Sequence, residues 1–73
     1  MRGNMKAERA RLGLSARDVA RKIGVGVGTL LRWESGEAEP MAGNIIKLSH
    51  LYGCSPEYLL GLTSERKQDL IPK

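Results

Sequence analysis

A chain of 73 residues has room for one domain with a modest core, because chains of this size bury only about 60% of the surface that they expose when unfolded. Its 41% hydrophobic and 27% charged residues are typical of globular proteins, and the absence of a long apolar run argues against a membrane-spanning class. The lone Cys54 cannot close an internal disulfide, and together with the lone His50 it cannot form a structural zinc site. The first residues lack the apolar stretch of a secretory signal. We therefore expect a cytoplasmic protein with no metal and no cofactor.

The net charge of +4 comes entirely from the first half of the chain. Residues 1–37 contain eight Lys and Arg against four Asp and Glu, whereas residues 38–73 contain four of each. An excess of positive charge on one side is what a polyanion partner requires. A solvated basic face with no partner is the alternative that charge alone leaves open.

Capping signals divide the chain into five short helices in chain order. Ser15 and Ser55 are good N-caps, each set between two apolar residues that can staple the helix entry, and Gly26 is a weaker N-cap. The helices are predicted over 4–12, 16–23, 27–35, 41–52 and 56–61. Glycines that can adopt a left-handed conformation follow the first four, namely Gly13, Gly24, Gly36 and Gly53.

Apolar residues recur at helical spacing, and no strand is indicated. Trp33 is predicted to be a core wedge rather than a stacking platform, Cys54 a buried small side chain and His50 a surface residue. The sequence thus predicts an all-α, compact five-helix bundle over residues 4–62, followed by a polar tail over 63–73 that is loose or part of a dimer contact. The core stripe is predicted from Met5, Leu12, Val19, Ala20, Ile23, Leu30, Trp33, Ile45, Leu48 and Tyr52.

The second and third predicted helices flank one tight turn. Ala20 is small where the two helices must approach each other, Gly24 turns the chain, and Val25 and Leu30 fill the angle between the helices. This arrangement is a helix-turn-helix with a protruding second helix. Such a helix fits the major groove of DNA, which is about 12 Å wide.

This region has the pattern Leu-Ser-x-x-x-Val-Ala-x-x-Ile-Gly-Val over residues 14–25 and Leu-x-Arg-Trp-Glu-x-Gly over residues 30–36, with Pro40 beyond it. The pattern resembles the lambda-repressor-like (Cro/repressor, Xre-type) family, and the resemblance extends over roughly residues 4–62. It implies a five-helix domain that binds operator DNA as a dimer, with helix 3 in the major groove and the start of helix 2 against phosphates.

The resemblance also assigns roles to individual residues that hold or orient the phosphate backbone. Arg9 and Glu34 stand where many members form a salt bridge between helices 1 and 3, and Arg9 would then also point toward phosphate. The alternative to this salt bridge is that Arg9 and Glu34 are both solvated surface charges. Ala16 replaces the Gln that members often carry after the cap, so one side-chain contact is missing. The implied phosphate contacts are Arg9, Ser15, Ala16, Arg17, Ser35 and, more weakly, Asn44.

The base-reading positions depart further from the family pattern. Helix 3 begins with two glycines, Gly26 and Gly28, where members commonly carry polar side chains. The glycines either allow the backbone to approach DNA closely or simply cap and loosen the helix. Direct contacts to bases are then expected from Val27, Thr29 and Arg32, with the backbone at Gly28 and with DNA shape contributing.

The sequence predicts a sequence-specific transcriptional regulator, most simply a repressor that binds a two-fold operator as a homodimer. Tyr58, Leu62 and Ile71 are candidate dimer contacts. A protein-interaction or antitoxin-like module with weak or nonspecific DNA binding is the alternative that the glycine-rich helix 3 suggests. No catalytic constellation is apparent in the sequence, so an enzyme is not expected.

Overall fold

The computed structural model describes residues 3–66 and shows a helical domain with no strand in that range. The predicted all-α class is confirmed, with five helices in chain order. None of these helices is long and apolar enough to cross a lipid bilayer. The helices are Met5–Arg11 (α1), Ala16–Ile23 (α2), Val27–Ser35 (α3), Ala42–Tyr52 (α4) and Pro56–Leu59 (α5).

The local signals set the ends of α2 as predicted. Ser15 Oγ accepts the backbone N–H of Asp18 at 3.0 Å, and the Asp18 carboxylate accepts the backbone N–H of Ser15 at 3.1 Å, so both bonds of a capping box are present. These bonds hold the pKa of Asp18 below its usual value. At the other end Gly24 takes φ +87°, a left-handed conformation that glycine adopts without strain.

Other helix ends differ from the prediction. The helix expected over 56–61 ends at Leu59, because Gly61 takes φ +79° and the backbone N–H of Leu62 turns back to the carbonyl of Glu57. The segment expected over 41–52 starts at Ala42, since Met41 is extended and serves as the N-cap. The first helix, expected over 4–12, is one residue shorter at each end.

The core forms where α1 to α5 turn their apolar faces inward. Trp33 is buried, which confirms the prediction of a core wedge, and the prediction that Leu12 belongs to the core is wrong. Leu12 is 39% exposed because α1 ends at Arg11, and the chain turns away through Gly13. The buried apolar residues are Met5, Val19, Ala20, Ile23, Leu30, Trp33, Ile45, Leu48, Tyr52, Cys54 and Leu59.

A buried carboxylate takes the inward position on α1 that the apolar pattern did not indicate. Glu8 is 3% exposed and accepts hydrogen bonds from Arg11 Nε at 2.9 Å and from Arg66 Nη2 at 2.7 Å. Both guanidinium groups also donate to the carbonyl oxygen of Tyr52. The hydrogen bonds from Arg66 and Arg11 hold the pKa of Glu8 below its usual value, although burial opposes them. We call Glu8, Arg11, Arg66 and the Tyr52 carbonyl the Glu8 cluster.

The Glu8 cluster joins the start of the predicted polar tail to the helical domain. Arg66 lies 58 residues from Glu8 in the chain, and its own carbonyl accepts the backbone N–H of Ser55. Residues 63–66 are thereby connected to α1 and to the end of α4. Residues 67–73 of the predicted tail lie outside the described residues.

Candidate nucleic-acid interface

The α2–α3 unit has the geometry of a helix-turn-helix. After Gly24 the backbone N–H of Val25 bonds back to the carbonyl of Ala20 at 2.9 Å, and Gly26 is extended, with φ −76° and ψ 153°, before α3 begins. Val25 packs against the core, and Leu30 on α3 is fully buried. Helix α3 packs against both α2 and α1. It is therefore a surface helix held rigidly from two sides.

One face of α3 points away from the domain. Its residues are Gly28, Leu31, Arg32 and Ser35, which follow the i, i+3, i+4, i+7 spacing of a single helix face, and all four are exposed. We call these four residues the outer face of α3. Two of the predicted base contacts, Gly28 and Arg32, lie on this face.

The other two predicted base contacts lie at its margins. Val27 is half-buried and packs against the core, and Thr29 is also half-buried. Leu31 was not predicted as a site residue, although it is 45% exposed on the outer face. Its position three residues after Gly28 was the signal that could have identified it.

The two glycines at the start of α3 are not required by the fold of the free domain. Neither takes a positive φ. A Cβ at Gly26 would meet nothing within 4 Å, and a Cβ at Gly28 would meet only the Arg32 guanidinium at 4.0 Å. Backbone conformation and packing would thus accept a side chain at either position.

Arg9 and Glu34 join α1 to α3 through a two-bond ion pair. Arg9 Nε donates to Glu34 Oε2 at 2.8 Å, and Arg9 Nη2 donates to Glu34 Oε1 at 3.0 Å. A third bond runs from Arg9 Nη1 to the carbonyl of Leu14 at 3.2 Å, just before α2. The side chains of Arg9 and Glu34 are 17% and 4% exposed, and the hydrogen bond to Glu34 raises the pKa of Arg9. One guanidinium therefore fixes the relative positions of α1, α2 and α3.

The predicted phosphate contacts on α2 lie together at its start. Ser15 and Arg17 are exposed, whereas Ala16 is half-buried and packs its methyl group against the core. Ala16 can offer a ligand only its backbone N–H. The N–H groups of Ala16 and Arg17 belong to the first turn, where no intrahelical acceptor is available. This helix end is thus a potential anion site that Arg17 favours and that the Asp18 carboxylate of the capping box opposes.

The remaining phosphate candidates lie on other elements. The exposed Ser35 hydroxyl donates to the Arg32 carbonyl at 3.1 Å and accepts the Glu37 N–H at 3.3 Å, so it already closes the end of α3. Asn44 is half-buried in the first turn of α4. The structure thus places Ser35 on the outer face of α3 and Asn44 on a separate helix.

A family model described as helix-turn-helix matches residues 5–59, which include all five helices. This chain belongs to the lambda-repressor-like helix-turn-helix family. The resemblance predicted from the pattern of residues 14–36 is confirmed, and with it a family of DNA-binding transcriptional regulators.

Individual relatives of this lambda-repressor-like domain are regulators and a repressor. It is 31% identical over 72 residues to the "HTH-type transcriptional regulator ImmR" of Bacillus subtilis, with 94% of this chain and 57% of that protein covered. It is 34% identical over 56 residues to "Repressor protein C2" of Salmonella phage P22, with 77% of this chain and 26% of that protein covered.

A third relative is an uncharacterized HTH-type transcriptional regulator of Haemophilus influenzae, 43% identical over 42 residues, with 58% of this chain and 18% of that protein covered. The chain therefore spans a little more than half of the length of the Bacillus relative and about a quarter or less of the other two. No solved structure gives a significant match.

The first half of this lambda-repressor-like domain exposes most of its cations, while two of its four anions are paired with arginines. In its first half Glu8, Asp18 and Glu34 each accept hydrogen bonds from the protein itself. These bonds neutralise Glu8 and Glu34, whose donors are arginines, but Asp18 keeps its charge because its donor is the backbone N–H of Ser15. The exposed cations of this half are Lys6, Arg17, Arg21, Lys22 and Arg32, together with Arg11, which is paired with Glu8.

No group of three or more His, Cys, Asp or Glu side chains that could hold a metal occurs within residues 3–66. Cys54 is fully buried, and burial raises the pKa of its thiol to about 11. His50 is exposed on α4. The predictions of a buried Cys54 and a surface His50 are confirmed.

Proposed function

We propose that this domain binds a specific sequence in double-stranded DNA and acts as a transcriptional repressor, with α3 in the major groove. The observation that carries the proposal is the outer face of α3. It is an exposed helix face in a basic half of the chain, held in place by the Arg9–Glu34 pair. A single α-helix with its side chains fits the major groove. The family membership and the names of its relatives support the same function.

The proposed contacts divide into those that read bases and those that hold phosphates. Arg32 is the one long polar side chain on the outer face of α3, and it can donate two bonds to a guanine edge. Thr29, Val27 and the open backbone at Gly28 complete the base-reading set. With so few side chains, DNA shape and deformability supply part of the specificity. The proposed phosphate contacts are Arg9, Ser15, Ala16 through its backbone N–H, Arg17, Ser35 and Asn44.

We further propose a homodimer on a two-fold operator, with half-sites about one helical turn apart. Leu62 is 63% exposed, and beside it Tyr58 lines an open depression of about 630 Å³ at the end of α5. These residues are the proposed dimer contacts; Ile71, the third candidate, lies outside the described residues.

Sedimentation equilibrium tests the proposed dimer. Replacing Leu62 with Asp should shift a dimer toward monomer, and an unchanged mass would remove this surface from the interface.

DNA binding itself is tested by measuring affinity for random-sequence duplexes over a range of salt concentrations. Each phosphate that the protein neutralises should steepen the fall of log K with log salt by about 0.9. Selection from a pool of random duplexes then yields the operator sequence. No salt-dependent binding at low ionic strength would refute the proposal, and binding without a consensus would limit it to nonspecific DNA binding.

Replacing Arg32 with Ala separates the two kinds of contact at the centre of the proposed interface. If Arg32 reads a base, the variant should lose preference at one position of each half-site, with a cost of about 1–3 kcal/mol on the selected operator. Uniform weakening across all sequences, with a smaller salt slope, would make Arg32 a phosphate contact. Arg21→Ala, an exposed arginine at the end of α2, is the control for loss of charge alone.

A protein-interaction module is the second candidate, and exposed apolar side chains favour it. Met41 is 79% exposed and Leu62 63% exposed, while Gly26 and Gly28 present no side chain. The selection from random duplexes distinguishes this candidate, because a module with weak or nonspecific DNA binding should give no consensus sequence. For either candidate we infer a cytoplasmic protein without catalytic activity, consistent with relatives named as regulators and a repressor.

A further inference from the structure

Leu31 is an apolar side chain at the centre of a face that should meet DNA. It is 45% exposed, and its neighbours one turn back are Gly28, which has no side chain, and Val27, which is apolar and half-buried. Helical side chains lean toward the N-terminus of the helix, so Leu31 covers the turn that contains these two residues. Because Gly28 covers nothing, the Leu31 side chain is open to whatever approaches the start of α3.

The charges around Leu31 indicate what kind of surface can cover it. On one side Leu31 lines a groove of about 400 Å³ together with Lys6, Arg9, Glu34 and Ser35. Glu34 is neutralised by Arg9, so Lys6 leaves the groove positive, and the exposed Arg32 adds a second cation next to Leu31. An approaching surface must therefore offer an apolar group flanked by negative charge.

The major groove of DNA meets both requirements. Phosphates line its two edges, and the C5-methyl of thymine is the apolar group that its floor presents. A second protein surface would have to place acidic side chains on both sides of an apolar one. The chemistry around Leu31 therefore favours thymine.

We propose that Leu31 is a specificity-determining residue that packs on the C5-methyl group of a thymine, and that Gly28 leaves the space for this contact. The proposal rests on the DNA-binding function proposed above. It adds a base contact that involves no hydrogen bond, and it explains how a helix with so few polar side chains can prefer one sequence.

The test replaces each thymine of the selected operator in turn with deoxyuridine, which keeps the hydrogen-bonding groups and removes only the methyl. Wild-type protein should lose about fourfold in affinity at the thymine under Leu31, the value expected for one buried methyl group. Leu31→Ala should bind the thymine and uracil forms of that position equally. Leu31→Met, which keeps an apolar side chain of similar volume, should retain the preference.

Ile46→Ala is the matched control, because Ile46 is also 45% exposed but lies on α4. It should keep the wild-type ratio of thymine to uracil affinity. Any thymine contact made by Val27 would persist in Leu31→Ala and disappear in Val27→Ala. The contacts of Leu31 and Val27 are therefore distinguished by which operator thymine each variant stops preferring.

Two outcomes would overturn the assignment of Leu31. One is wild-type binding that no deoxyuridine substitution weakens. The other is a Leu31→Ala variant that keeps every thymine preference. If that variant also changes the oligomeric mass, Leu31 lies in a protein contact instead. If wild-type protein shows no salt-dependent DNA binding at all, the proposed function fails as a whole, so the two failures are distinguishable.

Discussion

Single residues in the core show how burial changes the chemistry of polar groups. The Tyr52 side chain is 1% exposed, and its hydroxyl has no hydrogen-bond partner within residues 3–66. Burial raises the pKa of this hydroxyl to about 12. A buried polar group without a partner loses its bonds to water and gains none in return. Tyr52 thus contributes packing through its ring while its hydroxyl opposes folding.

Replacing Tyr52 with Phe should therefore increase the free energy of unfolding by about 1 kcal/mol, because the ring is kept and the desolvation cost of the hydroxyl is removed. Urea unfolding followed by the fluorescence of Trp33 measures the change. A loss of stability of the same size would show that the hydroxyl forms a favourable interaction in solution.

Cys54 provides a second test at the residue scale. Its thiol is fully buried and has its pKa raised to about 11, so near neutral pH it is both protonated and inaccessible. We expect a thiol reagent at pH 8 to modify native protein only as fast as the domain opens, and urea-unfolded protein at once, since the thiolate is the reactive form. Rapid modification of native protein would contradict the burial of Cys54.

At the scale of elements, α3 combines weak intrinsic helix formation with firm tertiary support. Its N-cap, Gly26, offers no side-chain bond, and Gly28 lies in its first turn, yet Leu30 and Trp33 bury one side and Glu34 is tied to Arg9. Glycine in a helix costs up to about 1 kcal/mol relative to alanine. Packing therefore keeps this helix in place.

Gly28→Ala should raise the free energy of unfolding by about 0.5–1 kcal/mol, because the position is helical and a Cβ there meets only the end of a flexible Arg32 side chain. We expect the same variant to bind operator DNA more weakly, since the added methyl occupies the space between the helix backbone and the base edges. Unfolding in urea and operator affinity are measured on the same sample. A variant that gains both stability and affinity would show that Gly28 only loosens the helix.

At the scale of the whole molecule, contacts between distant parts of the chain close the domain at both ends. The Glu8 cluster joins α1 to Arg66 and to the end of α4. Near the other end the Asn4 side chain donates to the Tyr58 carbonyl at 2.6 Å, and a Cβ at Gly3 would overlap the Leu59 carbonyl. The first described residues thus pack closely on α5.

Glu8→Gln should lower the free energy of unfolding by about 2 kcal/mol near neutral pH, because the amide removes the charge and replaces one buried acceptor oxygen with an NH2 donor that faces a guanidinium group. The pH dependence follows from the lowered pKa of Glu8. Such a carboxylate stabilises the folded state fully above its unfolded pKa, near 4.5, and this contribution is lost as pH falls through the folded value. Wild type and variant should therefore converge in stability at acid pH.

Urea titrations from pH 7 to pH 2 measure this convergence. Glu37→Gln, at an exposed glutamate beyond α3, is the control and should leave stability nearly unchanged across the range. A constant difference between wild type and Glu8→Gln at all pH values would mean that the charge of Glu8 does not stabilise the domain.

The sequence by itself determined the helices and the turn between α2 and α3. The capping box of Ser15 and Asp18, the left-handed Gly24 and the helical spacing of Leu30 and Trp33 all act over a few residues, so their effect is readable from neighbouring positions. The family resemblance depended on the same local framework. For that reason the bounds of α2 and α3 agree with the prediction.

Only the tertiary structure decided which polar groups lie inside and which apolar ones lie outside. Glu8 is buried because Arg66, 58 residues away, supplies its partner, and Leu12 is exposed because α1 ends before it. Leu31 has the same residue type as Leu30 and lies next to it, yet packing against α1 and α2 buries one and exposes the other. The burial of Glu8 depends on which distant surfaces meet, and no pattern within a few residues specifies that, whereas helical spacing from Gly28 already places Leu31 on the outer face of α3.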